Sequence, residues 1–226
     1  MNTNLRKLKI MLRFNITSAP KECVICGGRA LERSIIHTEW YKRMWKCGRC
    51  AHIALYDKNN VSPQDHFFTV QERANEHLKI TGTQFTSILD FGTPDGFFLT
   101  KVIAKEKYAY DLYPYKDLPE GVKEWHKEKI DFLYSSHSLE HMPDPKEFLK
   151  ILPEKFFVEV PYYPDWFVEC IGKGIKTTRW HYQLFNEKSF KEFFGNVKCT
   201  IELISKTVEK SYARGKQKGV LRAYNL

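Results

Sequence analysis

Short apolar runs, separated by turns that contain glycine or proline, divide most of the chain into alternating strands and helices. The clearest unit is residues 87–98, where a buried strand with Ile88, Leu89 and Phe91 stops at Gly92. A tight turn through Gly96 then opens a helix-periodic apolar run. Because glycine lets the backbone turn sharply, this unit predicts a ligand crevice faced by free N–H groups at the helix start.

The same pattern predicts further elements along the chain. The predicted strands are residues 108–111, a short third strand at 121–125, 130–134 and 155–160, and the predicted helices are 65–78 and the segment that Asn186 caps. Strands that alternate with helices indicate an α/β fold with a parallel sheet.

An acidic residue ends the second predicted strand. Asp111 lies about 20 residues after Asp90, the spacing at which nucleoside-binding units place the carboxylate that accepts the ribose hydroxyls. The spacing therefore predicts a nucleoside-containing cofactor across the ends of two parallel strands.

Two motifs together resemble class I S-adenosylmethionine (SAM)-dependent methyltransferases. Asp90-x-Gly92-x-x-x-Gly96 is similar to the glycine loop of that family, and residues 130–145 resemble its fourth-strand motif in the Leu-Glu-His (type 23-like) branch. Pro94 stands where the family has its middle glycine and offers no N–H. The resemblance covers residues 65–226 and implies a Rossmann-like sheet with SAM as cofactor. It also implies a C-terminal antiparallel hairpin, formed by residues 198–210 and 218–225.

The resemblance also implies which residues form the site. Cofactor contacts are expected from Asp90, Gly92, Thr93, Gly96, Asp111, Leu112, Ser135 and Ser136. Candidate catalytic bases are His137, His141 and His181, because histidine is the usual base near neutral pH. His181 lies in the segment expected to form a substrate lid over the acceptor, residues 161–185. Glu140 is adjacent to His141 and could orient a histidine ring. A packing role for His141 remains an equal alternative.

Two Cys-x2-Cys pairs precede this region. Cys23 and Cys26 are followed, after twenty residues, by Cys47 and Cys50. This spacing is typical of a zinc ribbon, and four thiolates predict a closed, structural zinc site rather than a catalytic one. The alternatives are unrelated cysteines or a redox pair. We expect an N-terminal arm and ribbon over residues 1–60 and a methyltransferase domain over 61–226. His52 is interpreted as a surface or ribbon residue.

Hydrophobic content and net charge indicate which classes of function the chain can have. The chain has 226 residues, 42% of them hydrophobic, and a net charge of +9 from 36 Lys and Arg against 27 Asp and Glu. No apolar run reaches the ~18–20 residues that span a bilayer, so no membrane span and a cytoplasmic location are predicted. The basic balance is compatible with RNA but does not require it.

The sequence thus favours a methyltransferase that acts on a small-molecule acceptor, notably a sugar or nucleotide sugar, as the resemblance implies. One alternative is an RNA methyltransferase that uses the ribbon to bind RNA. Another is a non-catalytic binding module, since Pro94 and the short third-strand region depart from the family pattern. Nothing in the sequence specifies an oligomeric state.

Overall fold

The computed structural model describes residues 22–35, 41–58, 84–111, 117–164, 181–205 and 219–226. The predicted N-terminal arm, the helix over 65–78, most of the lid and Leu112 lie outside the described residues. Within those ranges, no helix is long and apolar enough to cross a bilayer.

Eleven strands lie in the described part of the chain. They are β1 (Ala30–Ile35), β2 (Tyr41–Cys47), β3 (Ile53–Lys58), β4 (Phe85–Phe91), β5 (Ala104–Tyr110), β6 (Val122–Glu124), β7 (Phe132–Ser136), β8 (Lys155–Pro161), β9 (Gln183–Leu184), β10 (Thr200–Ser205) and β11 (Gly219–Asn225). The helices within the same described ranges are two 3-10 turns, Phe97–Lys101 and Leu139–His141, and two α-helices, α1 (Lys146–Leu149) and α2 (Glu187–Phe193).

Seven strands form one sheet in the order β10-β11-β8-β7-β4-β5-β6. Strand β4 pairs in parallel with β5 and with β7, and β5 pairs in parallel with β6. Read from β6, the first five strands follow the 3-2-1-4-5 order of doubly wound nucleotide-binding sheets. Strands β11 and β10 occupy the place of the predicted hairpin. The predicted Rossmann-like methyltransferase fold is therefore confirmed.

The other sheet has four strands in the order β1-β2-β3-β9. The first three strands belong to the cysteine-containing segment and pair antiparallel. The fourth, β9, comes from the C-terminal half of the chain and pairs antiparallel with β3, placing Ile53 opposite Leu184. The predicted ribbon thus shares its sheet with a strand from the segment predicted as a lid.

Close contacts divide the chain into two compact units. One comprises Met1–Val61, Leu139–Lys150 and Glu159–Ala223, and the other Ser62–Ser138, Ile151–Val158 and Tyr224–Leu226. The second unit has an apolar core of eight buried residues, namely Ile88, Phe98, Leu99, Val102, Ala109, Phe132, Tyr134 and Phe157. Three of these rings stack in a row, with Tyr134 between Phe98 and Phe157.

The helix predicted after Gly96 is only one 3-10 turn, Phe97–Lys101. Val102 is already extended, and β5 begins at Ala104, so the chain has no length for a second turn. The turn still buries Phe98 and Leu99 in the core, while Ile103 is 62% exposed. The apolar residues of this run are spaced for burial in the core, but the longer helix that their spacing predicted is wrong.

We predict that Gly92→Ala destabilises the protein far more than Gly121→Ala. Both glycines have positive φ, 86° and 78°, so alanine costs each about 1–2 kcal/mol of backbone strain. A Cβ at Gly92 would also lie 1.9 Å from Ser138 Oγ and 2.3 Å from its Cβ, whereas one at Gly121 meets nothing within 4 Å. Urea unfolding should show an extra loss of about 1–3 kcal/mol for Gly92→Ala.

A second substitution tests the cause. Ser138→Gly removes both clashing atoms and should restore most of the stability lost by Gly92→Ala, whereas Ser138→Ala leaves the Cβ contact and should restore little. Equal losses for the two glycine variants would show that Ser138 yields freely and that the contact does not constrain the turn.

Candidate functional site

The predicted cofactor residues lie at the carboxyl ends of parallel strands. The register of β4 and β5 places Phe91 opposite Tyr110, so Gly92 and Asp111 leave the sheet side by side. On its other side β4 pairs with β7, which is where the strand order reverses. Ligands of open α/β sheets bind in the crevice at such a switch point.

The glycine turn satisfies most of its own hydrogen bonds. The N–H groups of Gly92 and Thr93 donate to the carbonyl of Tyr110 at 2.7 and 3.2 Å. The Gly96 N–H donates to Thr93 Oγ1, and the Phe97 N–H donates to an Asp95 carboxylate oxygen, each at 3.1 Å. The prediction of free amide donors is therefore wrong for Gly96 and Phe97.

The other predicted cofactor residues occupy the same edge at different depths. Asp90, Thr93, Ser135 and Ser136 are buried, and the Ser135 hydroxyl donates to the carbonyl of Phe91 at 3.1 Å. Asp111 is half-buried, and its charge, together with burial as the larger cause, raises the pKa of Tyr110. Leu112 lies outside the described residues.

Asp111 and the glycine turn fit the nucleoside part of a nucleoside-containing cofactor. Asp111 supplies a partly accessible carboxylate at the strand end, and Gly92 and Gly96 adopt left-handed φ values of 86° and 63° that keep side chains out of the turn. Pro94 and the engaged amides leave this turn few donors for a carboxylate or phosphate. A Cβ at Gly92 would meet Ser138, and one at Gly96 would meet Leu118 and Val122, so the turn offers a ligand chiefly the Asp111 carboxylate.

The four predicted zinc ligands converge. Their sulfur atoms lie within 4.8 Å of one another, with Cys23 Sγ 3.7 Å from Cys50 Sγ and Cys26 Sγ 3.5 Å from Cys47 Sγ. Four sulfurs about 2.3 Å from one tetrahedral zinc ion stand about 3.8 Å apart, so the donor set fits zinc. The amides of Gly28 and Arg49 point at Cys26 Sγ and Cys47 Sγ, at 3.3 and 3.4 Å.

The hydrogen bond between the Cys23 and Cys50 thiols lowers the pKa of Cys23 to about 6 and raises the pKa of Cys50. Cys23, Cys47 and Cys50 are buried, which suits a closed structural site.

The second cysteine pair is tied to the C-terminal half through buried polar contacts. His52 Nε2 lies 2.8 Å from Gln183 Oε1, and the Gln183 amide donates to the carbonyls of Met142 and Pro143 at 3.0 and 3.1 Å. Asn186 Nδ2 donates to the carbonyl of Ala51 at 2.8 Å. The ribbon is therefore packed against the chain at the Leu-Glu-His turn.

His52 is fully buried and lies directly before β3, so of its two interpretations, a surface or a ribbon residue, the second holds. Burial lowers the pKa of His52 to about 4, and its ring is neutral at neutral pH. A neutral ring has one donor and one acceptor nitrogen, which suits a single amide partner.

Two of the three predicted bases lie together around a buried carboxylate. Glu140 Oε1 is 3.8 Å from Nε2 of His141 and 3.8 Å from Nε2 of His181. The two imidazole rings meet edge to face at 4.7 Å. The hydroxyl of Tyr163 lies 2.6 Å from His181 Nδ1. We call Glu140, His141 and His181 the Glu-His-His cluster.

The third predicted base, His137, is not a member of this cluster. It directly follows β7 and has a φ of 55°, a left-handed conformation that is uncommon for a residue with a side chain. Its half-buried position at a strand end keeps it among the candidates at the cofactor crevice.

Sequence reasoning missed the two residues that organise the cluster. Tyr163 was visible only as part of an aromatic stretch, and Gln183 only as a neighbour of His181. Their partners lie 18 residues away for Tyr163 and 131 for the Gln183–His52 contact, so no local spacing signals either pair. By contrast, Asn186 was predicted as a cap, and its reciprocal bonds with Ser189 confirm that prediction.

Comparison with known proteins gives distant structural similarity only. No protein-family model matches the sequence, and no curated protein matches it. The small RNA methyltransferase HEN1 is similar with a TM-score of 0.48 and 14% identity, over 76% of this chain and 28% of that chain. This chain thus spans little more than a quarter of that protein.

Two shorter proteins show the same level of similarity. The methyltransferase domain of bacterial CtHen1 has a TM-score of 0.47 and 13% identity, over 69% of this chain and 99% of its own. The magnesium protoporphyrin IX methyltransferase ChlM from Synechocystis was solved with bound S-adenosylhomocysteine (SAH). It has a TM-score of 0.46 and 12% identity, over 70% of this chain and 82% of its own. At these scores the similarity adds nothing to the strand order.

We predict that removing zinc from the ribbon releases β9. Because β9 pairs only two residues, Gln183 and Leu184, with β3, its order depends on the folded ribbon. Chelation of the thiolate-bound metal should sharply accelerate hydrogen exchange at the Leu184 amide. The amide of Leu89, in the core of β4, serves as the control and should stay protected. Unchanged exchange at Leu184 would mean that β9 is held without the ribbon.

We also predict that the buried Gln183 contacts matter more than an exposed ion pair of the same ribbon. Gln183→Met leaves His52 and two carbonyls without their partner and should lower the free energy of unfolding by about 1–3 kcal/mol. Arg49→Met breaks the Arg49–Glu192 ion pair, whose side chains are 63% and 33% exposed, and should cost at most about 1 kcal/mol. Thermal and urea unfolding compare the two variants. Equal costs would contradict this ranking.

Proposed function

We propose that the protein is a SAM-dependent methyltransferase that acts on a small-molecule acceptor of the sugar or nucleotide-sugar class. The observation that carries the proposal is Asp111 beside the glycine turn, where two parallel strands end at the switch point of a Rossmann-like sheet. A carboxylate in that position accepts two hydroxyls of a ribose. A cytoplasmic location, where thiolates stay reduced, accords with this proposal.

The proposed cofactor residues divide by role. Asp111 binds the ribose, with Leu112 beside it in the chain, and Gly92 and Gly96 form the adjacent turn. The buried side chains of Asp90, Thr93, Ser135 and Ser136 hold the crevice in shape. When bound, SAM supplies an electrophilic methyl group on its sulfonium sulfur.

The chain must then align the acceptor and remove its proton. For a hydroxyl acceptor, the new O–CH3 bond would form as the S–CH3 bond of SAM breaks and leaves SAH, and the hydroxyl proton would pass to a base. His181, His137 and His141 are the proposed candidates. The contact with Tyr163 at Nδ1 fixes the ring of His181 and leaves Nε2 facing Glu140.

The ribbon contacts support a small acceptor over RNA. Next to the second cysteine pair, the carbonyl of Ala51 and the ring of His52 are hydrogen-bonded to Asn186 and Gln183, and Arg49 is paired with Glu192 at the surface. A ribbon used in this way acts as a support for the chain rather than as a free basic surface. The net charge of +9 makes RNA the acceptor to test beside sugars.

We predict that SAH binds with micromolar affinity and that Asp111→Asn weakens binding at least tenfold, because the amide can no longer accept two ribose hydroxyls as a charged group. Calorimetric titration of the zinc-loaded protein measures both. Asp117→Asn is the matched control, since Asp117 is exposed and the change in charge is the same. Its affinity should equal that of the wild type.

A folded wild-type protein that binds no SAH would overturn the enzyme proposal and favour a non-catalytic module. If SAH binds, transfer of labelled methyl from SAM to nucleotide sugars, with RNA tested in parallel, identifies the acceptor class. Transfer to RNA alone, with affinity that falls steeply as salt rises, would replace the sugar proposal by the RNA alternative.

A further inference from the structure

The Glu-His-His cluster has the donor set of a metal centre. Its three ligand atoms, one carboxylate oxygen and two imidazole nitrogens, all lie within 4.8 Å of one another. They come from two places in the chain, the 3-10 turn Leu139–His141 and the residue two before β9. The cluster contains no cysteine, which separates its chemistry from that of the ribbon.

The distances suit an ion better than a direct hydrogen bond. Both Nε2–Oε1 separations are 3.8 Å, beyond the roughly 2.7–3.2 Å of an N–H···O hydrogen bond. Two ligands each about 2.1 Å from one ion stand about 3.0–3.4 Å apart, at octahedral or tetrahedral angles. Each Nε2–Oε1 separation therefore has to shorten by about 0.4–0.8 Å for Glu140 to share one ion with His141 and His181.

Burial gives the ion an electrostatic reason to bind. The Glu140 side chain is 0% exposed and that of His181 is 6% exposed. A carboxylate in such a place is stabilised strongly by a cation. The His141 side chain is 26% exposed, so the cluster is open on that side. Three protein ligands with an open side are the mark of a catalytic metal site rather than a closed structural one.

The surrounding bonds hold the ligands in place. The Tyr163 hydroxyl lies 2.6 Å from His181 Nδ1. In the tautomer whose Nδ1–H donates to this oxygen, Nε2 presents its lone pair to an ion, which is how partners of metal-bound histidines orient the ring. The Tyr182 N–H donates to the Glu140 carbonyl at 2.8 Å. Gln183 bonds to the carbonyls of Met142 and Pro143. The two chain segments are thus fastened together on either side of the cluster.

We propose that Glu140, His141 and His181 bind a divalent first-row transition metal ion at a site separate from the ribbon. Two imidazoles and one carboxylate with open positions suit Mn²⁺, Fe²⁺, Co²⁺ or Zn²⁺, and the harder donor set disfavours Cu⁺. The ion polarises an oxygen of a ligand that reaches the open side. His141 and His181 then act as metal ligands rather than bases, which leaves His137 as the candidate base, and Glu140 acts as a ligand in place of an orienting group.

Cobalt titration of the protein with zinc held in the ribbon tests the proposal. Wild-type protein should take up one Co²⁺ per chain in addition to the ribbon zinc, without the intense charge-transfer absorption that thiolate ligands give. Total metal by elemental analysis should be two ions per chain. Glu140→Gln and His141→Gln should each weaken Co²⁺ binding at least tenfold while the ribbon zinc stays in place.

His126→Gln is the matched control, because His126 is exposed and lies outside the cluster. It should leave Co²⁺ uptake unchanged. His141 is partly exposed, so His141→Gln keeps the test decisive if Glu140→Gln fails to fold. A wild-type protein that binds no second ion, or second-ion binding that survives both Glu140→Gln and His141→Gln, would overturn the proposal.

Tyr163→Phe provides a finer test of the assigned geometry. Removing the partner of His181 Nδ1 should weaken Co²⁺ binding about 10–100-fold without abolishing it. Cobalt uptake requires neither SAM nor an acceptor, so the metal proposal stands or falls apart from the proposed methyl transfer. Absence of SAH binding with intact cobalt binding would overturn the methyltransferase proposal alone. Absence of cobalt binding with intact SAH binding would overturn the metal proposal alone.

Discussion

The buried amide of Gln183 joins three parts of the chain that are far apart in sequence. It meets His52 of the ribbon on one side and the carbonyls of Met142 and Pro143 on the other. A buried amide has few ways to satisfy both its oxygen and its nitrogen, so this arrangement specifies one position for β9. The residue two before β9 in the chain, His181, is then held where it meets Glu140.

The position of β9 depends on the ribbon through these Gln183 contacts. The ribbon's four converging cysteines are the donor set of a closed metal site, and a bound ion would fix the fold of a segment with little core of its own. That segment offers β3 as a partner to β9 and His52 as a partner to Gln183. Through Gln183 and β9, the ribbon therefore supports the Glu-His-His cluster within the same unit of the chain.

The crevice at the ends of β4 and β5 follows a different principle. Its glycine turn uses its amides internally, on the Tyr110 carbonyl, Thr93 and Asp95. The hydrogen bonds of these backbone groups are thus satisfied before any ligand binds. What the crevice offers a ligand is chiefly the Asp111 carboxylate at the end of β5.

Features encoded by neighbouring residues could be determined from the sequence alone. The cysteine spacing, the apolar strand runs, the position of Asp111 and the cap at Asn186 each depend on residues within a few positions of one another. The burial of His52, the pairing of β9 with the ribbon and the meeting of Glu140 with His181 were decided only by the tertiary structure. Those contacts join residues tens to more than a hundred positions apart, as the separations of 41 and 131 at Gln183 show. Local propensity carries no information on them, because they form only when packing brings distant segments together.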